Sequence, residues 1–152
     1  MVFDMVKKSK LVENVTELIC ELARDCHIKE EYFAASFNLS PTEVRLLKLF
    51  AFDNTYSIKE IRDKLNLTAG RITHIIQSLE AKKLVQRIPE DNDKRNINVK
   101  LLPKAAPLIR NLHQNYHKLH EDLLKNVNDA EMENIDSSLR LLVDVFKKWV
   151  EA

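Results

Sequence analysis

Both ends of this chain have long stretches in which apolar residues repeat with the period of an α-helix. Apolar residues repeat every three or four positions in residues 11–26, and again after Pro103 and after Asn128. These stripes hold more apolar surface than a small domain needs for its own core. Another helix is predicted after residues 40–43, where a capping serine, a proline and a glutamate occupy the usual N-terminal positions. We expect that helix to end at Asp53 and Asn54.

The middle of the chain predicts two shorter helices in close succession. Ser57 and Glu60 have the spacing of a capping box, and a helix of about two turns follows them. After a brief turn, Thr68 caps a second helix that continues to Lys82. One face of this second helix is apolar and the other is polar and basic. The apolar face consists of Ile72, Ile75, Ile76 and Leu79.

Two stretches of alternating polarity come next, at residues 84–88 and 97–101. Their period is that of half-buried strands, and the charged residues 89–96 between them predict a hairpin with an exposed tip. The predicted order is α-α-α-α-β-β-α-α. The fold class is therefore mainly α with a small β-hairpin wing (α+β), with a winged helix-turn-helix embedded in a larger helical region.

The polar face of the helix at 68–82 has the chemistry for reading DNA. The second helix of a helix-turn-helix enters the major groove, which is about 12 Å wide and admits one helix. Arg71 can bond guanine or phosphate, Gln77 can bond adenine, and Thr73 can meet a phosphate or a thymine methyl group. The candidate DNA-contacting residues are Ser57, Thr68, Ala69, Gly70, Arg71, Thr73, His74, Gln77, Arg87, Asp93, Lys94 and Arg95.

Three details favour this interpretation. Arg71 lies in the first turn, where the helix dipole disfavours a cation unless an anion such as phosphate is nearby. Gly70, the single glycine of the chain, allows close approach of a DNA backbone, although it can also serve to relieve crowding between helices. In the tip, Asp93 is placed to orient the guanidinium of Arg95. A charged tip can also be ordinary solvated surface, but here it follows a helix-turn-helix directly.

Charge and hydropathy narrow the class of protein to which this chain can belong. The net charge is +1, yet residues 57–100 hold ten Lys and Arg against six Asp and Glu, so the remainder carries −3. This asymmetry permits a local surface that faces phosphate. No stretch approaches the ~20 apolar residues that span a bilayer, and the N-terminus has no secretion signal. We expect a cytoplasmic protein that does not bind a membrane.

The chain resembles the MarR family of winged-helix transcriptional regulators over nearly its full length. The matching segments are residues 39–43, 57–61, 65–73 and 79–85, followed by the wing signature Asp93-Lys94-Arg95 and a strand that ends at Leu101. Three positions depart from the family pattern. Lys83 replaces a glycine that ends the recognition helix in a left-handed turn, Leu102 replaces a capping threonine, and His74 replaces a basic residue.

The resemblance implies a homodimer in the cytoplasm of a prokaryotic cell, on the nucleoid when it is bound to DNA. Residues 1–38 and 103–152 would form the helical dimerisation region, and residues 39–102 the DNA-binding domain. The two domains of a dimer would then read a near-palindromic operator in double-stranded DNA. The long apolar stripes support the dimer independently, unless these helices pack only within one chain. The candidate interface residues are Leu11, Val15, Leu18, Leu139, Leu142, Phe146 and Trp149.

The resemblance also implies control by an effector, a small aromatic or amphipathic molecule. The candidate pocket residues Tyr32, Phe33, Phe37 and Phe50 lie with Phe52 at the junction of the helical region and the winged helix, although core packing is the favoured explanation for this aromatic cluster. No cofactor and no metal are predicted. His113, His117 and His120 share one helix face, and Cys26 and Glu43 are conceivable further ligands, so a zinc sensor is an alternative.

Cys20 and Cys26 lie on the first predicted helix, roughly 9 Å apart, too far for a disulfide. They are interpreted as buried free thiols, with an oxidant-sensing Cys26 beside His27 as the alternative. An enzyme is not indicated, because the chain has no nucleotide-binding glycine loop and no nucleophile elbow. A winged helix used for protein–protein contact is a further alternative, but it would need apolar anchors on the outer face of residues 68–82.

Overall fold

The computed structural model describes residues 1–90 and 93–152, with only the backbone of Asp93 and Lys94. Asp91 and Asn92 of the predicted wing tip lie outside the described residues. The elements are α1 (Val2–Ala35), α2 (Pro41–Leu49), β1 (Thr55–Ser57), α3 (Ile58–Leu65), α4 (Ala69–Ala81), β2 (Val85–Glu90), β3 (Asp93–Leu101), a 3-10 turn (Pro103–Ala105), α5 (Ala106–Leu124) and α6 (Asp129–Glu151). The predicted fold class is confirmed, with one additional strand, β1.

The sheet has the order β1-β3-β2, and all its strand pairs are antiparallel. The strand β1 was missed because three residues are too few to show alternation, and because Ser57 both ends β1 and caps α3. The hairpin strands reach further than predicted, to Glu90 and from Asp93. Backbone pairing does not require apolar side chains, so polarity hid the strand ends.

The helix caps follow the sequence closely. Ser40, Ser57 and Asn128 each accept a hydrogen bond in a complete capping box, and Thr68 accepts from the Arg71 N–H at 3.4 Å. The end of α2 differs from the prediction, because the helix stops at Leu49 rather than at residues 53–54. The turn after α2 is fixed by hydrogen bonds such as that from the Tyr56 hydroxyl to the Leu49 carbonyl, at 2.7 Å.

Lys83 adopts the left-handed conformation that glycine normally supplies, with a φ of 58°. Its N–H donates to the Glu80 carbonyl at 2.9 Å, and the Leu84 N–H donates to the Leu79 carbonyl at 3.0 Å. These two bonds form a Schellman motif, which ends α4 in the way that the family pattern implies. Leu102 makes no capping bond, and the following helix begins with the 3-10 turn.

The chain divides into two compact units, Met1–His113 and Gln114–Ala152. The core of the first unit gathers residues of α2, α3, α4 and the sheet around fully buried side chains such as Leu47, Ile61, Ile76 and Val99. Of the 34 residues of α1, the structure buries only Phe33 and Ala34.

The second unit contains most of α5 and the whole of α6, and no residue of α6 is buried. The candidate interface residues of the two units are exposed or half-buried in the single chain; Leu18 is 63% exposed and Trp149 is 76% exposed. Among the described residues, no helix is both long enough and apolar enough to cross a membrane.

Candidate nucleic-acid interface

The helix α4 has one face in the core and one face in solvent. Its apolar residues, Ile72, Ile75, Ile76 and Leu79, are buried. Arg71, His74 and Gln77 are exposed at intervals of three residues, and Thr73 is half-buried with its hydroxyl bonded to the Ala69 carbonyl at 3.0 Å. No large apolar side chain of α4 is exposed. The outer face therefore offers hydrogen-bonding groups and no apolar anchor.

The first turn of α4 leaves space for a backbone to approach. A Cβ atom built on Gly70 meets no other atom within 4 Å. The alternative interpretation, in which Gly70 relieves crowding between helices, has no support in this chain. Thr68, Ala69, Gly70 and Arg71 are all exposed, so the N-terminus of the helix is open to a ligand.

The wing and the start of α3 meet at a cleft of about 580 Å³. Ser57 and Lys59 line it from the α3 side, and Arg95 and Ile97 line it from β3. The cleft brings together two predicted contact residues, Ser57 and Arg95, that are distant in sequence. The predicted orientation of Arg95 by Asp93, and the contact assigned to Lys94, lie outside the described side chains.

Arg87 is held by Glu80 of α4. The Oε1 atom of Glu80 accepts from the Arg87 backbone N–H at 3.0 Å and from its Nε at 3.1 Å. The Oε2 atom accepts from Nε at 3.1 Å and from Nη2 at 2.9 Å. The hydrogen bond from Arg87 lowers the pKa of Glu80 and outweighs the opposing effect of burial. The guanidinium that was predicted to contact DNA thus faces a carboxylate, and sequence analysis missed this pairing.

A second network ties the end of α4 to the junction of α1 and α2. Lys82 Nζ donates to Glu43 Oε2 at 2.8 Å and to the Asn38 carbonyl at 2.9 Å. Ser78 donates its hydroxyl to Glu43 Oε1, and the Ser40 N–H donates to Oε2 at 2.8 Å. Burial alone would raise the pKa of Glu43, but these bonds, foremost that from Lys82, lower it. Glu43 is thus a buried structural carboxylate.

The metal candidates do not converge. His117 Nε2 lies 3.1 Å from Glu121, and His120 Nδ1 lies 2.7 Å from the Tyr116 carbonyl oxygen. Within the described part of the chain, no group of three or more His, Cys, Asp or Glu residues is arranged to hold a metal ion.

Cys20 and Cys26 are free thiols, as predicted, but both are exposed. The interpretation that they are buried is therefore wrong for the single chain, because α1 has almost no partner there.

The aromatic candidates are divided between core and surface. Phe33 packs on Phe37 with ring centroids 5.3 Å apart, and Phe50 packs on Tyr56 at 5.4 Å. Phe33 and Phe50 are buried, as the core interpretation expects. Tyr32 and Phe52 are exposed. The assignment of these residues to an effector pocket stays a prediction.

The model of the MarR family matches residues 39–97, the segment that contains the helix-turn-helix and the wing. The multiple antibiotic resistance protein MarR of Salmonella typhimurium is 25% identical over 112 residues, which are 73% of this chain and 78% of that protein. Mutant MarR from E. coli, solved in complex with operator DNA, has a TM-score of 0.71 and 22% identity, and covers 84% of this chain and 92% of its own. FabT from Streptococcus pneumoniae, solved in complex with DNA, has a TM-score of 0.75 and 18% identity, covering 90% and 98%. The family model, the sequence relatives and the matching fold agree: residues 39–97 of this chain form a MarR-family segment, and the chain is similar to MarR winged-helix regulators.

Proposed function

We propose that this protein is a homodimeric repressor that reads a near-palindromic operator with the recognition helix at residues 68–82 and the wing at residues 89–96. The observation that carries the proposal is the outer face of α4, where Arg71, His74 and Gln77 are exposed. A surface for protein–protein contact would carry aromatic or aliphatic anchors. A surface for base edges carries side chains such as these.

The contacts divide into two kinds. Gln77 and Arg71 are suited to base edges, and Gly70 and Thr68 admit a phosphate at the N-terminus of the helix. The wing, with Arg95, reaches the backbone or the adjacent minor groove and positions the domain. In this assignment residues 39–102 are the DNA-binding domain.

The homodimer is supported by the apolar surface that one chain leaves exposed. Residues 1–38 and 103–152 would form the dimerisation region, where α6 buries no residue and α1 buries only two. A second copy would cover these faces and present two recognition helices to half-sites about 34–36 Å apart. The operator complex of mutant MarR and the DNA complex of FabT support DNA as the partner. In this proposal the partner is double-stranded DNA, on the nucleoid of a prokaryotic cell.

Control by a small aromatic or amphipathic effector completes the proposal. A cleft of about 540 Å³ lies between the α1–α2 junction and α4, lined among others by Leu39, His74, Ile75 and Lys82. A ligand there would contact the recognition helix itself, so binding would change its DNA-reading position. The exposed thiols of Cys20 and Cys26 keep oxidant control as the alternative.

Fluorescence anisotropy tests the function. The purified protein is titrated onto the intergenic DNA that flanks its own gene and onto a scrambled duplex, at two salt concentrations. A specific regulator prefers one duplex by at least ~10³. Equal, weak binding to both, and to duplexes recovered by selection from a random library, would refute the proposal.

A further inference from the structure

The direction of Arg87 follows from the pleat of β2. Successive strand residues point to opposite sides of a sheet, so Arg87 shares its side with Val85, two positions earlier. Val85 is 2% exposed and faces the helices, whereas Gln86 and Ile88 lie on the exposed side. Arg87 is therefore turned toward α4 by the same alternation that builds the core.

Glu80 meets Arg87 from the C-terminal end of α4. Its two carboxylate oxygens accept hydrogen bonds from the backbone N–H, Nε and Nη2 of Arg87. These bonds fix both the Arg87 side chain and the backbone of β2. A charge-assisted contact with more than one hydrogen bond specifies an orientation as well as a distance. The pair therefore sets the position of β2 relative to the recognition helix.

The connection between these two elements is short, and the hydrogen bonds of the Schellman motif and of Lys82 hold it. Residues 82–84 lie between α4 and β2, and Lys83 holds a left-handed backbone conformation that is strained for a non-glycine residue. We call this strained turn the hinge between α4 and β2. A hinge beside a reading helix would let the wing move away from DNA unless another contact holds it.

We propose that Glu80 and Arg87 form a clasp that fixes the angle between the recognition helix and the wing, and that Arg87 is a positioning residue rather than a phosphate contact. The inference rests on the proposed function, because it assumes that helix and wing bind one duplex together. When the clasp is closed, binding of the recognition helix in the major groove also places the wing against the DNA. The effective concentration of the wing at its own contact site is then higher.

A double-mutant cycle with salt titration tests the clasp. The probe is the duplex that the wild-type protein selects from a random library, and the variants are Glu80→Gln, Arg87→Gln, both together, and Arg87→Lys. Lys100→Gln is the charge control, since Lys100 is an exposed cation on the opposite side of the hairpin. Thermal unfolding of each variant separates loss of folding from loss of positioning.

We expect each single variant to weaken operator binding by about tenfold and the double variant to be no weaker than either, because both remove one interaction. The slope of log affinity against log salt stays that of the wild type, whereas a lost phosphate contact lowers it by about 1. Arg87→Lys keeps the charge but not the forked geometry, so it does not restore binding.

The opposite pattern would overturn the clasp. Unchanged or tighter binding by Glu80→Gln, together with a lower salt slope for Arg87→Gln, would make Arg87 a direct phosphate contact. If Arg87→Gln does not fold, Glu80→Gln with Arg87→Lys decides between the same two patterns. A wild-type protein that selects no duplex would refute the proposed function itself, and the clasp with it.

Discussion

In α4, 13 residues long, every residue of the apolar face is buried, whereas the 23 residues of α6 bury none. Both helices are amphipathic, so the difference lies in their surroundings. The winged-helix segment completes its core within one chain, from α2, α3, α4 and the sheet. The apolar face of α6 has no such core around it in one chain, and α1 buries only Phe33 and Ala34. The comparison separates a helix whose apolar face is covered within one chain from a helix whose apolar face one chain leaves exposed.

The largest expected effect comes from charging the uncovered face of α6. Phe146→Asp places a carboxylate in the stripe that a second copy would cover, and the burial of an unpaired charge is prohibitive. We expect a monomer in sedimentation velocity and operator affinity lower by roughly 10²–10⁴-fold, because the second half-site no longer adds to binding. Ser137→Asp, on the opposite side of the helix, is the matched control. A dimer that survives Phe146→Asp would place the interface elsewhere.

The sequence predicted the self-contained part well because its signals are local. Caps and periodicity located the helices, and alternation located the hairpin. The strand β1 was not predicted because three residues are too few to show alternation. The ends of β2 and β3 were not predicted because backbone hydrogen bonding between strands does not depend on side-chain polarity. The predicted burial of Cys20 and Cys26 was wrong for a different reason. Apolar stripes indicate that a surface is buried, but not whether the same chain or a second copy buries it.

In the candidate site, the sequence predicts features that depend on neighbouring residues, but not contacts between residues that are far apart along the chain. The outer face of α4 follows from helical spacing, and the direction of Arg87 follows from strand alternation. The contact between Glu43 and Lys82 joins residues 39 positions apart. In the sequence, Glu43 shows only its capping role, so no local pattern announces a buried ion pair.

The Glu43 network is the next test, because it connects the α1–α2 junction to α4. Glu43→Gln keeps the shape but leaves Lys82 with a weaker acceptor, and we expect it to lower the free energy of unfolding by about 1–3 kcal/mol at neutral pH. The pKa of Glu43 is lowered below its ordinary 4.5 in the folded protein, so its contribution is present above pH 4.5 and fades as the pH falls through the folded pKa. Urea unfolding at pH 7 and pH 3.5 should show the gap between wild type and variant narrowing with acid. A constant gap would remove ionisation from the explanation.

A smaller effect is expected at the tip of the wing. Arg95→Ala should weaken binding to the operator and to a scrambled duplex by a similar factor, roughly tenfold, and reduce the salt slope by about 1. Gln77→Ala is the comparison variant, because loss of a base contact reduces the preference for the operator and leaves the salt slope in place. Anisotropy on both duplexes at several salt concentrations measures the two quantities together. An Arg95 variant with wild-type affinity would take the wing out of the contact surface.

The smallest expected effect concerns the hinge itself. Lys83 holds a φ of 58°, so Lys83→Gly should raise the free energy of unfolding by about 0.5–1 kcal/mol, since glycine adopts this conformation without strain. Asn66, at φ 52°, is the matched control: asparagine tolerates the left-handed region, so Asn66→Gly should gain less. Thermal and urea unfolding measure both changes, and a destabilised Lys83→Gly would mean that the lysine side chain contributes more than its backbone costs. If the clasp of Glu80 and Arg87 holds the wing, Lys83→Gly also keeps wild-type operator affinity. Lys83→Gly combined with Glu80→Gln should bind more weakly than Glu80→Gln alone, because the clasp then no longer restrains a more flexible hinge.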